Sequence, residues 1–331
     1  MSATRQPVRA VLFGIGPIDA GIGRLAAQRE EIELAGAIDS APDKAGRRLY
    51  DVLELDPPAG KPNPVIEADA AAALASAKPD VVLHATSSYL VDTAPQLIAC
   101  AQAGANVVST CEELSYPWLR HPELAKQLDA EAKANGVTLL GTGINPGFVM
   151  DTLAVAISGV CQQVERLRIA RIVDVSTRRP QLRRKVGVGL AIDEFRARAA
   201  TGTFGHVGLK ESCWLAAEGL GWRLDTLDET IEPVVSADGL AAGIRQQALG
   251  TLNGRTVIEA LVQMSMDVER PRDEIEIEGT PPVRLVIEGG VQGDLATAAV
   301  ILNSVRGVID HEAGLVTMLD LPVAGGRGVT P

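Results

Sequence analysis

The chain is poor in aromatic residues, which make up 3% of its 331 residues. It has four cysteines, Cys100, Cys111, Cys161 and Cys213, and they form neither a C-x-x-C pair nor a metal-binding spacing. Reduced thiols in a cytoplasm are the plain reading, in place of a disulfide framework. The four histidines are equally scattered, so no metal is expected. No apolar run reaches the roughly 18 residues of a membrane helix, and residues 1–7 lack the apolar core of a signal peptide. The net charge of −11 argues against nucleic acid as a partner, because its phosphates would be repelled. There is no internal repeat and no low-complexity tract. What remains is an ordinary globular composition, 46% hydrophobic and 22% charged, long enough for two domains with cores of their own.

The most informative stretch is residues 8–39. Val8 to Phe13 is a short apolar run that reads as a strand, Gly14-Ile15-Gly16-Pro17-Ile18 breaks it, and a helical pattern follows through Arg24, Leu25, Ala26 and Ala27. A second strand over residues 32–38 ends at Asp39, 23 residues after Gly16. This is the order of a dinucleotide-binding βαβ unit. Gly14 makes the tight turn, and Gly16 lets a pyrophosphate approach the helix N-terminus, where free N–H groups and the helix dipole favour an anion. Asp39 stands near the spacing at which an acid accepts hydrogen bonds from the adenosine ribose. The third glycine of G-x-G-x-x-G is replaced by Asp19, with Gly21 and Gly23 following. Either Asp19 caps the helix, or the turn is longer and Gly21 takes the packing role. Asp39 favours NAD(H), since a carboxylate repels a 2′-phosphate. Lys44, Arg47 and Arg48 follow closely, so NADP(H) stays open. Expected cofactor contacts are Gly14, Gly16, Pro17, Ile18, Asp39, Ser40, Lys44 and Arg47.

Strands and helices alternate up to about residue 140. Residues 68–77, 94–104 and 121–135 read as helices, and 65–66, 81–84, 106–110 and 137–140 as strands. The turn Ala85-Thr86-Ser87-Ser88 lies at a strand's C-terminal end, where open α/β sheets bind ligands, which adds Thr86 and Ser87 to the cofactor contacts. The pattern then changes. Residues 164–176 alternate as a long strand, a basic loop follows (Arg178, Arg179, Arg183, Arg184, Lys185), and strand-like alternation returns at 234–235, 256–268 and 284–288. Residues 294–306 have helical spacing. The expected architecture is a Rossmann-type parallel-sheet domain over 1–145, to which about 294–331 returns. An α+β domain with a mixed or antiparallel sheet over 146–293 would supply substrate contacts and a homodimer interface.

Glu112-Glu113 directly follows a buried strand at the ligand end of the sheet. Neighbouring side chains diverge, so one acid is expected to face the nicotinamide while the other caps or pairs. The bland reading is a helix start, where acids are favourable, but Leu114-Ser115-Tyr116-Pro117 reads more as a turn. The stretch Val107-Val108-Ser109-Thr110-Cys111-Glu112-Glu113-Leu114-Ser115-Tyr116-Pro117, with Gly141-Thr142-Gly143-Ile144-Asn145-Pro146-Gly147-Phe148, resembles the 2,4-diaminopentanoate dehydrogenase and native amine dehydrogenase family, whose N-terminal domain is similar to that of dihydrodipicolinate reductases. The resemblance extends to Arg171-Ile172-Val173-Asp174, Lys185-Val186-Gly187-Val188-Gly189, Gly205-His206-Val207-Gly208-Leu209, Asn303 and Leu319-Asp320-Leu321-Pro322. Departures are Asp19 and Ala313, where proline is the family pattern.

The resemblance implies NAD(P)-dependent reductive amination of a small ketone or aldehyde with ammonia, and the reverse oxidative deamination. The family's catalytic glutamate carries over to Glu112. Cys111 and Asn303 complete the expected cofactor contacts. The chemistry suits a carboxylate: the iminium formed from a ketone and ammonia is cationic, and an anion beside it stabilises that charge and can take a proton from ammonium. The stretch is also similar to homoserine dehydrogenases, which carry a lysine where Glu112 stands. Expected substrate contacts are His206 between two glycines, Asn145, Arg171, and an apolar wall of Tyr116, Ile144, Phe148 and Phe204, with core packing as the alternative for each. If Arg171 grips a carboxylate, a 2,4-diaminopentanoate-like substrate is favoured; if not, a plain ketone. Two other readings are an imine reductase, weakened by the lack of a basic catalytic cluster around His206, and a non-catalytic NAD(P)-binding sensor that would not need Glu112.

Overall fold

The computed structural model describes residues 6–176, 180–202 and 204–328. Arg178 and Arg179 of the expected basic loop lie outside the described residues, as do residues 1–5. The chain forms two compact units, Met1–Gly147 with Gly293–Pro331, and Phe148–Gln292.

The first unit opens with β1 (Val8–Phe13), α1 (Pro17–Ala27) and β2 (Ile32–Ile38). It continues with α2 (Leu49–Leu53), β3 (Ile66–Glu67), α3 (Ala70–Ala77), β4 (Val81–His84), α4 (Leu90–Gln102), β5 (Asn106–Ser109), α5 (Pro122–Asn135) and β6 (Thr138–Gly141). The central strands are covered on both faces, so their sequences are continuous apolar runs without alternation; Val81, Val82 and Leu83 are wholly buried. Local signals set the helix ends. The Asp69 carboxylate accepts the N–H groups of Ala71 and Ala72 at the start of α3, and α5 stops at Gly136 in the left-handed conformation.

The second unit holds α6 (Thr152–Ser158), β7 (Gln163–Asp174), α7 (Pro180–Lys185), α8 (Ile192–Ala199), α9 (Leu209–Gly219), β8 (Thr226–Val235), β9 (Ala241–Leu252), β10 (Arg255–Ser265), β11 (Arg272–Thr280) and β12 (Val283–Glu288). Its sheet runs β12-β11-β7-β10-β9-β8. β7 and β10 are parallel and every other pair is antiparallel, so the sheet is mixed. β7 shows why the long alternation is legible. Leu167, Ile169 and Arg171 are buried on one face, while Arg166 and Arg168 on the other pair with Glu259 and Glu278. The described part of the basic segment is the short helix α7 where a loop was expected.

The chain then returns to the first unit through α10 (Gly293–Asp310) and β13 (Gly314–Val316). The first sheet is wholly parallel, in the order β13-β6-β5-β4-β1-β2-β3. The order reverses at β1, between β4 and β2. A crevice opens at the C-terminal ends of the strands at such a point, and the glycine turn sits there.

Neither sequence reading of the modified fingerprint holds. α1 begins at Pro17 with Gly16 as its N-cap and no side-chain cap, so Asp19 is its third residue and not the cap. A Cβ on Gly21 would meet nothing within 4 Å, whereas one on Gly23 would lie 2.8 Å from Leu12 Cδ1 and 3.1 Å from Leu53. Gly23 therefore carries the close helix–strand packing. Two substitutions separate these roles. Gly21→Ala is expected to raise stability by about 0.5–1 kcal/mol through helix propensity, while Gly23→Ala is expected to lower it by about 1–3 kcal/mol through overpacking. Urea unfolding midpoints compare them directly.

Candidate active site

At the nucleotide end, Gly14 has φ +92°, and a Cβ there would stand 2.6 Å from Thr86 Cγ2 and 2.8 Å from the Ala85 carbonyl oxygen. A Cβ on Gly16 would meet nothing within 4 Å. The first position needs glycine for the turn; the second leaves room in front of a helix N-terminus with no side-chain cap. Space plus a positive helix end fits a pyrophosphate. Asp39 completes the corner: its Oδ2 accepts from Ile15 N–H (2.8 Å) and Lys44 Nζ (2.9 Å), and its Oδ1 from Ala41 N–H (2.8 Å). Partial burial opposes its ionisation, but the bonds from Lys44, Ala41 and Ile15 together outweigh it and hold the carboxyl below its ordinary range. Each carboxylate oxygen has two lone pairs, so Oδ1 keeps capacity for a ribose hydroxyl. Pro17, Ser40 and Arg47 are exposed beside this corner and Ile18 is half-buried. Arg48 reaches the Asn63 carbonyl.

Beneath the next strand ends lies a polar network that sequence reasoning missed. His84 closes β4 and is wholly buried. Its Nδ1 faces Ser109 Oγ at 2.8 Å and its Nε2 faces Gln96 Oε1 at 2.7 Å. Burial draws its pKa down to about 4 against a smaller opposing effect of Gln96, so the ring is neutral. Thr86 Oγ1 donates to Gln96 Oε1, and Ser109 Oγ accepts the Cys111 N–H. The only sequence signal was a histidine ending an apolar run. Ser87 Oγ donates to Asp92 and accepts the Tyr89 N–H, which orders the start of α4.

Two expected cofactor contacts do not fit their surroundings. The Cys111 side chain is buried in the core, donates to the Ser88 carbonyl and accepts from Thr93. Burial pushes its thiol up to about 12, so it packs as an inert hydrophobe. Asn303 on α10 accepts from Arg29 at 2.8 Å. Arg29 lies just beyond the C-terminal end of α1, about 16 Å of helix away from the glycine turn.

The neighbouring acids diverge. Glu113 is buried, and its Oε2 accepts the Leu90 N–H at the start of α4 (2.8 Å) and faces His121 Nε2 (2.9 Å), with Arg120 Nε 3.8 Å from Oε1. It ties α4 to the segment before α5. Glu112 begins a 3-10 turn at the C-terminal end of β5 and is half-buried. Tyr116 stacks edge-on to Trp118 with ring centroids 5.5 Å apart. Ile144 and Asn145 are buried in the turn after β6. Two buried hydroxyls, Ser115 and Thr142, have no hydrogen-bond partner among the described residues.

In the second unit, Arg171 is buried and doubly engaged: Nη1 holds both oxygens of Asp273 (2.9 and 2.8 Å) and Nη2 donates to the Val291 carbonyl (2.7 Å). Val291 N–H returns to Asp273 Oδ2. This closed pair counts against a substrate-carboxylate clamp and makes Arg171 a brace between β7, β11 and the segment after β12. Phe204 packs edge-on against Phe195 at 5.0 Å in the local core, which favours the packing alternative. Phe148 is half-buried at the head of this unit. The main chain of His206 is held on both sides by the buried Gln246 side chain, which accepts its N–H and donates to its carbonyl, each at 2.8 Å. Gln246 also donates to Glu229. A polar residue facing inward from β9 was the missed signal. Arg184 and Lys185 are exposed.

A family model described as the 2,4-diaminopentanoate dehydrogenase C-terminal domain matches residues 148–327. The 2,4-diaminopentanoate dehydrogenase of Acetoanaerobium sticklandii is 30% identical over 335 residues, covering 96% of this chain and 94% of its own. The amine dehydrogenase of Streptomyces virginiae is 26% identical, with 96% of each chain covered. The structure of an amine dehydrogenase from Mycobacterium smegmatis superimposes with a TM-score of 0.84 at 26% identity, over 97% of each chain.

The division between the two acids and the role of Arg171 are measurable in the free protein. Glu113→Ala removes the acceptor of a buried N–H and is expected to cost about 1–3 kcal/mol, whereas Glu112→Gln should stay within about 0.5 kcal/mol of the wild type. Arg171→Met leaves Asp273 buried and uncompensated and should cost about 3–5 kcal/mol. Denaturant unfolding of the three variants gives the ranking.

Proposed function

The chain belongs to the 2,4-diaminopentanoate dehydrogenase family, and on that premise we propose that it is an NAD(P)-dependent amine dehydrogenase. It interconverts a small ketone or aldehyde, with ammonia, and the corresponding amine. The observation that carries the reading is the division of Glu112 from Glu113. Glu113 is buried in a structural network, while Glu112 stands half-buried at the crevice end of β5.

The residues' own chemistry follows. The Glu112 carboxylate takes a proton from ammonium, releasing ammonia to add to the carbonyl carbon. The same proton returns to the departing hydroxyl, which leaves as water. The resulting iminium is a cation beside a carboxylate in a partly dry site, the arrangement that stabilises developing charge most strongly. Gly14, Gly16, Pro17 and Ile18, the N-terminus of α1, and Asp39 with Lys44 would hold the dinucleotide, whose chemistry is to donate a hydride to the iminium carbon and accept one in reverse. Thr86 and Ser87 would border it, and Ser40 and Arg47 its ribose. The Asp39 carboxylate supports NAD(H) as the better cofactor, with NADP(H) admitted by the neighbouring cations. His206, Asn145, Tyr116, Ile144 and Phe148 stand as substrate contacts in this reading. The engagement of Arg171 by Asp273 favours an amine without a carboxylate over a diaminopentanoate-like one. A homodimer in the cytoplasm belongs to the same proposal, and sedimentation velocity checks the dimer.

Two experiments test it. NADH oxidation with a ketone panel should require ammonium, and Glu112→Gln should lower kcat by about 10²–10⁴-fold; turnover without ammonium, or a Gln variant near the wild-type rate, removes the role given to Glu112. Asp39→Asn removes the repulsion of a 2′-phosphate and should move the NADPH-to-NADH ratio of kcat/KM upward by about tenfold, a charge effect of roughly 1.4 kcal/mol.

A further inference from the structure

His84 is a buried titratable group that the chemistry proposed above does not use. It closes β4 and is wholly buried. Its Nδ1 lies 2.8 Å from Ser109 Oγ, and its Nε2 lies 2.7 Å from Gln96 Oε1 and 3.2 Å from Thr86 Oγ1. Burial draws its pKa down to about 4, against a smaller opposing effect of Gln96. At neutral pH the ring is therefore uncharged and offers one donor and one acceptor. Distances alone do not place its proton.

The partners do. Ser109 is wholly buried, and its Oγ already accepts the Cys111 N–H at 3.1 Å. Its own O–H needs an acceptor, because a buried donor left unpaired is costly. Among the described residues the acceptor that this hydroxyl meets is His84 Nδ1. Nδ1 is then unprotonated, and Nε2 carries the hydrogen. The far side of the ring agrees. There Nε2–H meets a carbonyl oxygen, Gln96 Oε1, which also receives the Thr86 O–H at 2.7 Å. The other tautomer would strand the Ser109 proton and set the Nε2 lone pair against that carbonyl. Phe13 packs edge-on against the ring, with centroids 5.3 Å apart and an interplanar angle of 72°.

The serine so anchored stands where the chain leaves β5. It is the last residue of that strand, and Cys111, whose N–H it accepts, is the N-cap of the 3-10 turn that begins with Glu112. A hydroxyl that accepts the N–H two residues on shapes such a turn. Left alone, a serine side chain has three staggered rotamers to choose from; the bond to Nδ1 holds it in one. The main chain of the same histidine adds a second hold, since its carbonyl accepts the Thr110 N–H at 2.9 Å. The end of β4 thus grips Ser109 and Thr110 directly, and Cys111 through Ser109.

We propose that His84, as its Nε2–H tautomer, is a positioning residue for Glu112. By accepting the Ser109 O–H it fixes the hydroxyl that receives the Cys111 N–H, and with it the direction in which the chain carries Glu112 out of β5. Its own proton does not move in the reaction. The proposal rests on the reading of Glu112 as the catalytic acid.

Two measurements test it. Imidazole nitrogen NMR of the free wild-type protein at neutral pH should show an unprotonated Nδ1 and a protonated Nε2 for His84. A protonated Nδ1 overturns the proposal whatever the enzyme acts on. The second measurement is kinetic. An asparagine in place of His84 sets its side-chain oxygen near the position of Nδ1, whereas a glutamine sets its amide near that of Nε2. His84→Asn therefore keeps an acceptor for Ser109 and should hold kcat for reductive amination within about threefold of the wild type. His84→Gln should lower kcat about tenfold, the effect of displacing a reacting group by a fraction of an ångström. The dissociation constant for NADH should stay within about threefold in both. Lost packing alone would harm His84→Asn, the smaller side chain, at least as much. In a Glu112→Gln background, His84→Gln should change kcat by less than about twofold, because the group it aims is already gone. Equal kcat in the two His84 variants, or an undiminished loss in the Glu112→Gln background, overturns the positioning role and leaves the reading of Glu112 intact. Glu112→Gln turning over at the wild-type rate overturns both.

Discussion

At the end of β1 the chain passes so close to β4 that no side chain fits between them. A Cβ at Gly14 would overlap both the Thr86 methyl group and the Ala85 carbonyl. That contact does more than shape a phosphate turn. Thr86 is hydrogen-bonded to Gln96, Gln96 to the His84 ring, His84 to Ser109, and Ser109 to the Cys111 amide. Glu112 is the next residue. A continuous line of short contacts thus joins the glycine turn, proposed to hold the pyrophosphate, to the residue before the proposed catalytic carboxylate, across the ends of β1, β4 and β5. The neutral imidazole at its centre suits the task, because both ring nitrogens are committed and a charge there would find no solvent.

The parallel sheet was legible because its strands are buried on both faces and their apolar runs are unbroken: 81–84 and 106–109 are strands almost residue for residue. The second sheet was half legible for a converse reason. β7 and β10 alternate cleanly, but β11 reads Arg-Asp-Glu-Ile-Glu-Ile-Glu-Gly-Thr, with two isoleucines and the buried Asp273 on its inner face. β9 carries Gln246 among small residues. A strand whose inward positions are polar hides from a hydrophobic pattern, and here those polar residues brace Arg171 and His206. The errors at single residues have the same root. Arg171 and Cys111 have side chains whose type suits a ligand, and only the fold shows that a partner or the core already occupies them.

Adjacent acids are a poor signal in sequence because either can be the structural one. The geometry separates them through the chain direction in the 3-10 turn, which sends Glu113 inward to the start of α4 and leaves Glu112 half-buried at the crevice. In the proposed reading the two residues are also coupled: Glu113 holds the turn from which Glu112 projects, so loss of Glu113 would displace the proposed catalytic group, and a displacement of about 1 Å can cost 10²-fold in rate.

Charge balance at the crevice links these observations. Asp19, Asp39, Glu112 and Glu113 are four of the acids near the ligand end of the first sheet. The incoming dinucleotide brings a pyrophosphate, so a site with all four ionised and uncompensated would repel it. The fold answers each in a different way. Asp39 receives Lys44 and two backbone N–H groups. Glu113 receives a helix N–H, His121 and, at longer range, Arg120. Burial first, and Asp39 second, push the Asp19 carboxyl well above its ordinary range. Glu112 is then the acid best placed to act on a substrate, and an iminium is the substrate-derived cation on which a carboxylate at that position is useful. Glu112 is thus a half-buried carboxylate whose neighbours Asp39 and Glu113 are already engaged by cationic side chains and backbone N–H groups, which suits the proposed pairing of an anionic cofactor with a cationic intermediate at neighbouring strand ends.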